Sequence, residues 1–261
     1  MTKGTIQGRD AFIANLSSRL GRSSVPSLAP DHPFRGAPQW YKDSDRSVEE
    51  KIQLFTENWT ALTGKVLIVE AAEARQQIGA WLKDIAAELG VTHVSRWEHE
   101  GLKALGLDEQ LAEVGIEVVP WVEPLYPSLP EFQPEQSAVE LPESNWAMRS
   151  ELLKRTERCQ LGIVWPDFSV ANTSTLVLQC SPQRGRSVTL LTDILFAVFR
   201  ADQLVNRMGE AFEKITRDKT SAEQYASSLN LITGPSRSAD IENDLTIGIH
   251  GPGKVYAVII K

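Results

Sequence analysis

The sequence predicts an α/β fold built on a mostly parallel sheet, and three observations lead there. Short continuous apolar runs recur, beginning with Val66-Leu67-Ile68-Val69, as expected of strands buried on both faces. Between them lie stretches with apolar residues at helical spacing, such as Ile78, Trp81, Leu82, Ile85 and Leu89. The two patterns alternate strand, helix, strand, helix, strand, an order that favours a sheet of parallel strands covered by helices.

Taken in order, Arg9 to Leu20 carries Phe12, Ile13, Leu16 and Leu20 at helical spacing, and Gly21 can end that helix. It is too short to be stable alone and must dock on something. Ser23 to Asp45 is rich in Pro, Ser, Gly and charge and reads as a linker, anchored to the body through Trp40 and Tyr41. Residues 1–47 are therefore expected to form a helical arm and linker, and 48–261 the α/β domain. Val48 to Leu62 is a second helix closed by Gly64, and Glu73 to Leu89 a third ended by Gly90. Val91 to Trp97 and Ile116 to Trp121 are expected strands flanking a short helix at Leu107 to Val114. Pro124 to Pro142, with five prolines, reads as a loop, and Asn145 to Arg158 as a helix. Beyond it, Leu161 to Val164, Thr175 to Gln179, Val188 to Leu191 and Ile194 to Val198 are closely spaced strand candidates. Asn206 to Lys219 is a further helix. Leu245 to His250 and Lys254 to Ile260 read as a hairpin around Gly251-Pro252-Gly253.

Composition narrows the function classes. With 42% hydrophobic and 23% charged residues the chain can bury a real core. A formal net charge of −7 argues against nucleic acid as a partner. The N-terminus lacks the apolar run of a signal peptide, and no apolar stretch approaches a membrane span. The expectation is a cytoplasmic protein without membrane insertion. Two cysteines, Cys159 and Cys180, read as reduced thiols, too few for an iron–sulfur cluster. The histidines form no zinc-type grouping, and neither a GxGxxG nor a Walker pattern is present. No metal and no cofactor is expected on this chain.

Polar segments punctuate the C-terminal strands. Asp167 to Thr175, ending in Asn172-Thr173-Ser174-Thr175, lies between two apolar runs and can offer N–H and O–H groups to an anion, or can be an ordinary turn in which Asn172 supplies local hydrogen bonds. Arg184-Gly185-Arg186 can aim guanidinium groups at a carboxylate or phosphate, or be a solvated hairpin tip. Gly234 and Pro235 set a turn in which Ser236 or Ser238 could cap a helix, with Asp240 and Glu242 in its first turn and Arg237 beside it. Such a helix start can bind an anion or simply be capped. His250, and less directly Asp240, are the acid–base candidates.

Together these residues resemble the bacterial lactate utilisation protein C family, which carries the LUD domain. The resemblance rests on Phe168 to Leu178, on Gly185-Arg186-Ser187-Val188-Thr189-Leu190-Leu191, and most specifically on Ile232-Thr233-Gly234-Pro235-Ser236-Arg237-Ser238-Ala239-Asp240-Ile241-Glu242 followed by Ile249-His250-Gly251-Pro252. Met1 to Gln7 and the Phe12-to-Gly21 helix look like the family's N-terminal arm. The resemblance implies a three-layer fold similar to that of ribose-5-phosphate isomerase and CoA transferases. It also implies a role in oxidising L-lactate to pyruvate beside two partner proteins that carry iron–sulfur clusters. Where the family usually reads Glu-(Ser or Thr)-Gly-Thr, this chain has Asn172-Thr173-Ser174-Thr175, so a carboxylate has become an amide and a glycine a serine. Asn172 cannot serve as general base or carboxylate nucleophile. The expected site comprises Asn172, Thr173, Ser174, Thr175, Arg184, Arg186, Gly234, Ser236 and Arg237, binding a small carboxylate or other anion, or organising the redox partners. An independent enzyme acting on a sugar phosphate or CoA-like ligand, and a non-enzymatic scaffold, are the alternatives.

Overall fold

The structure of the chain is a computed structural model and describes residues 7–25, 46–122, 151–217, 219–239 and 244–261. It divides into two units, Met1–Ser44 and Asp45–Lys261. In the first, α1 (Arg9–Arg19) ends where Gly21 turns left-handed at φ 71, as a helix-terminating glycine does.

The second unit begins with α2 (Val48–Ala61), opened by a capping box. The Ser47 hydroxyl accepts the Glu50 N–H at 3.2 Å, and the Glu50 carboxylate accepts the Ser47 N–H at 2.7 Å. There follow β1 (Lys65–Val69), α3 (Ala74–Leu89), β2 (His93–Arg96), α4 (Glu100–Ala104), α5 (Leu107–Ala112) and β3 (Glu117–Pro120). After the undescribed stretch come α6 (Glu151–Thr156), β4 (Leu161–Val164), β5 (Phe168–Val170), β6 (Thr175–Gln179), α7 (Ser187–Leu190) and β7 (Ile194–Arg200). The chain finishes through β8 (Leu204–Val205), α8 (Met208–Thr216), β9 (Leu229–Ile232), β10 (Arg237–Ser238), β11 (Thr246–Ile247) and β12 (Lys254–Ile260).

The main sheet has six strands in the order β1-β12-β7-β4-β2-β3, every neighbouring pair parallel. Its centre is β12 on β7, in register from Lys254 beside Ile194 to Ile260 beside Arg200. One face meets α3, where Trp81 packs on Phe196 and Tyr256. The other meets α2, where Phe55 sets its ring edge-to-face with Phe199 at 5.3 Å. A second, four-stranded sheet, β8-β5-β6-β9, covers that same side. Its Leu176, Leu178 and Leu204 join the main core, while Val170, Val177 and Val205 hold Ala211 and Ile215 of α8. The α/β class with a mostly parallel central sheet is therefore as expected. No helix among the described residues is long and apolar enough to cross a membrane.

The detail differs in four places. Val188 to Leu191, expected as a strand, is the helix α7: Thr189 and Thr192 hydroxyls donate to the carbonyls of Arg186 and Val188, a local bonding pattern that outweighs apolar texture. Lys254 to Ile260 does not fold back on Leu245 to His250. It enters the sheet centre between β1 and β7, and Thr246–Ile247 pairs instead with Arg237–Ser238, because an apolar seven-residue run gains most from burial on both faces. Ser236 and Ser238 cap no helix among the described residues, Ser238 being part of β10. The Val66–Val69 run lies on an edge strand with Ile68 40% exposed, so it is not buried on both faces. Trp40, Tyr41, Pro124 to Pro142, Asp240 and Glu242 lie outside the described residues.

Candidate functional site

Because all six strands of the main sheet run the same way, their carboxyl ends share one edge. Ligands of open parallel sheets bind in the crevice beyond that edge. Here the chain leaves β2 through Trp97-Glu98-His99, β3 through Trp121, and β4 through Trp165-Pro166-Asp167. The loop after β6 comes to the same edge and is tied there by backbone geometry. Glu98 N–H donates to Gln183 O at 3.1 Å and Trp97 Nε1–H to Gly185 O at 2.9 Å. Gly185 lies so close against Trp121 that a Cβ on it would fall 2.0 Å from the indole ring.

Two cavities open along this edge, of about 970 and about 270 Å³, and they share Asp167, Gln179, Arg184 and Lys219. The larger is bordered by Trp121, Arg186 and Tyr225 as well, the smaller by His99 and Trp165. Asp167 organises the junction. One carboxylate oxygen accepts from Arg184 Nη1 at 3.0 Å and the other from the Gln179 N–H at 2.8 Å. Lys219 Nζ donates to Gln179 Oε1 at 3.2 Å and lies over the Tyr225 ring. Cationic groups therefore outnumber the one acid, in a chain whose net charge is −7.

His99 stacks on Trp165 with centroids 4.9 Å apart, and its Nδ1 accepts the Gly101 N–H at 3.1 Å, capping α4. Burial, then the positive charge of Arg184, lowers its pKa against the opposing pull of Asp167 and Glu100. The ring is accordingly neutral at pH 7. With Nδ1 accepting, its proton sits on Nε2.

The strand end beneath His99 is locked by Arg96. Its guanidinium makes paired bonds to Asp108 at 2.7 and 2.6 Å and a third to Glu98 at 2.7 Å, and Lys103 also pairs with Glu98. Burial pushes the Glu98 carboxyl up, but the bonds from Lys103 and Arg96 outweigh it and hold it below the ordinary value. This ion network contributes stability that is present above about pH 4.5 and is lost as the pH falls through the lowered Glu98 value.

The remaining expected residues lie elsewhere. β6 runs toward this edge, so its first residue, Thr175, lies at the far end, about 13 Å along the strand from Gln179. There the Thr175 hydroxyl meets those of Thr173 at 2.7 Å and Thr233 at 2.6 Å. Ser236 accepts the His250 N–H on its hydroxyl and donates its own N–H to Pro252 O at 2.8 Å. Arg237 Nη2 donates to Leu62 O at 2.9 Å, and Gly234, left-handed at φ 74, packs on Leu62. Asn172 is held through its main chain, its N–H on Asn206 O and its C=O accepting from Asn58 Nδ2. The expected site thus divides in two. Arg184 and Arg186 stand at the carboxyl edge. Asn172 to Thr175, Gly234, Ser236, Arg237 and His250 gather beside the chain entering β1 and β12, engaged with Asn58, Leu62, Asn206 and Pro252 as well as with one another.

Comparison with known proteins identifies this arrangement. A model of the LUD domain matches residues 52–260. The chain belongs to the LUD domain family. Among its relatives, a "Lactate utilization protein C" of Geobacillus thermodenitrificans is 30% identical over 100% of this chain and 99% of its own length. Its namesake in Bacillus subtilis is 26% identical, again over 100% of this chain and 99% of its own. The crystal structure of a DUF162 family protein from Deinococcus radiodurans superposes with TM-score 0.52 at 19% identity, over 83% of this chain and 99% of that one, a likeness of fold.

The turn at Asn172 to Thr175 of this LUD chain has a physical cost. Ser174 is fully buried at φ 47, the left-handed region that glycine adopts freely, and its hydroxyl has no hydrogen-bond partner among the described residues. Ser174→Gly is expected to stabilise the LUD domain by about 1–2 kcal/mol, relieving the turn and removing an unsatisfied hydroxyl. Urea unfolding with an unchanged slope checks this. A destabilised variant would show the hydroxyl to be engaged.

His99, Trp165, Asp167, Gln179 and Lys219 were not selected as site residues from the sequence of this LUD protein. A usable signal existed for two of them, since Trp165 and Asp167 stand within three residues of the apolar run Leu161 to Val164. Among the described residues, no group of three or more His, Cys, Asp or Glu side chains is placed to hold a metal ion.

Proposed function

We propose that this chain is a component of an L-lactate utilisation system, in which L-lactate is oxidised to pyruvate with two iron–sulfur partner proteins. Its share of the work is to hold a small carboxylate in the crevice at the carboxyl edge. The likeness to proteins named lactate utilization protein C carries the reading, because it spans the whole chain and not the domain alone. The residues fit a subunit that leaves electron transfer to others. Cys159 is buried with its thiol pushed up to about 11 by burial, first, and then by Glu117, which makes it a poor ligand or nucleophile. Cys180 accepts a bond from Asn230 Nδ2 at 3.3 Å. Two thiols cannot furnish the four that a cluster takes. Arg184, oriented by Asp167, is the natural carboxylate partner. Reconstituting lactate oxidation from the two partner proteins tests the proposal: turnover should depend on adding this chain, and full turnover without it would sink the idea.

A second reading, an independent enzyme on a sugar phosphate or CoA-like ligand, draws on one observation. The larger cavity, about 970 Å³ with Arg186 and Lys219 on its border, exceeds what a three-carbon acid fills. A rise in melting temperature with phosphorylated sugars or CoA esters, absent with hydroxy acids, would favour that reading.

A further inference from the structure

The smaller cavity is walled on one side by the strand exits and on the other by α8. The inner face of α8 buries Ala211 and Ile215 on Val170, Val177 and Val205, and Ile215 itself borders the cavity. Lys214, next to Ile215, therefore comes to the same rim, its Nζ 5.5 Å from the centre of the Phe168 ring. Lys219, just past the end of α8, reaches the rim as well, where its Nζ donates to Gln179 Oε1 at 3.2 Å. The charges on this lining do not balance. Asp167 is its one acid, and it is bonded to Arg184 at 3.0 Å, so those two charges offset each other. Lys214 and Lys219 meet aromatic rings and a neutral amide, and neither forms an ion pair among the described residues. Each ammonium carries three donors and no acceptor. Their two positive charges stand uncompensated at the rim, in a chain whose net charge is −7.

We propose that this pocket binds a small acid bearing a second anionic group, its carboxylate on Arg184 and the second group on Lys214 and Lys219. The inference rests on the carboxylate reading of the crevice and sharpens it: the acid held here carries at least two negative charges, where L-lactate carries one. A monocarboxylate on Arg184 leaves both ammonium groups unmatched, whereas a second anion at the rim meets them, and such charge matching is what sorts one acid from another. The two binding positions are held apart by the wall of the pocket. Asp167 takes Arg184 on one carboxylate oxygen and the Gln179 N–H on the other, and the Gln179 side chain in turn takes Lys219. Room is sufficient, since a cavity of about 270 Å³ exceeds what a three-carbon acid fills. A second carboxylate and a phosphate share the required chemistry.

The test titrates the full chain by calorimetry with L-lactate, L-malate and phosphoglycolate. L-Malate or phosphoglycolate should bind about tenfold or more tightly than L-lactate, and the margin should shrink as salt is added. Whichever of the two binds more tightly identifies the second group as carboxylate or phosphate. Lys214→Gln combined with Lys219→Gln should bring the tighter acid down to the affinity of L-lactate and leave L-lactate unchanged. Lys214→Arg combined with Lys219→Arg keeps both charges and should retain the margin. Arg184→Leu should weaken all three acids. L-Lactate binding as tightly as both of the others overturns the assignment, as does a margin that survives the double glutamine variant. Either result leaves the carboxylate reading standing if Arg184→Leu still weakens L-lactate, whereas a chain that binds none of the three acids contradicts both.

Discussion

Replacing Arg96 with methionine should destabilise the second unit by about 3–5 kcal/mol, the cost of breaking a buried ion network from one side. The Arg96 side chain is 9% exposed, and three of its bonds end on the carboxylates of Asp108 and Glu98. Methionine fills a similar volume, so the loss is electrostatic: Asp108 and Glu98 are left close together without the cation between them. Exposed pairs such as Arg200 with Asp202 should cost less than about 1 kcal/mol when broken. The effect should also reach the crevice. Arg96 Nη1 donates to Trp97 O at 3.2 Å, and Glu98 N–H is tied to the Arg184 loop at Gln183. Chemical denaturation gives the stability. A loss below about 1 kcal/mol would mean that the network is solvated and does not hold the strand end.

Gly162→Val should cost about 3 kcal/mol or more, at the upper end for added volume in a packed core, and lower the melting temperature by roughly 6–12 °C. A Cβ at Gly162 would stand 2.0 Å from the Val188 carbonyl oxygen and 2.9 Å from Thr192 Oγ1. The obstacle is backbone, and that carbonyl also accepts the Thr192 hydroxyl at 3.0 Å, so relief requires α7 and Thr192 to move together away from β4. Since α7 follows directly on Arg186, its displacement would also move the loop that lines the larger cavity. Calorimetric unfolding checks the prediction, and a wild-type melting temperature would show that α7 moves freely over β4.

The same contact explains what the sequence could and could not reveal. Runs such as Leu161-Gly162-Ile163-Val164 and Val255 to Ile260 announce buried parallel strands, because burial on both faces leaves no polar alternation. The alternation of strands with helices from β1 to β3 was equally legible, since each helix shows its own apolar stripe. Ser187-Val188-Thr189-Leu190 was not legible, because four residues carry no period and β-branched residues bias the reading toward strand. The placement of Lys254 to Ile260 was hidden for a different reason. A Gly-Pro-Gly turn reads locally as a hairpin, whereas the partner strands β1 and β7 lie far away in sequence.

The site was legible in part. Arg184 was noticed as a cation beside a glycine, but its partner Asp167 lies 17 residues earlier and meets it only when β5 and β6 fold back. Thr175 and Gly234 looked like members of one site with Arg184 because all lie near strand ends. Strand direction separates them: one end of β6 points to the crevice and the other to the Thr233 turn. His99 has a single signal, its place just after a short strand. Its neutrality and its stacking come from Trp165 and Arg184, which only the parallel pairing of β2 with β4 brings near.

The site proposed for the bound carboxylate is at the carboxyl edge around Arg184, and not at the hydroxyl turns around Thr233 and Arg237. One measurement tests that most directly: lactate oxidation reconstituted with the proposed iron–sulfur partners, comparing Arg184→Leu with Arg237→Leu. Loss of a charged partner from a half-buried site should lower turnover at least about thirtyfold for Arg184→Leu, with Arg237→Leu close to wild type. Wild-type turnover for Arg184→Leu, with collapse for Arg237→Leu, would contradict the account and move the site to the other end of β6.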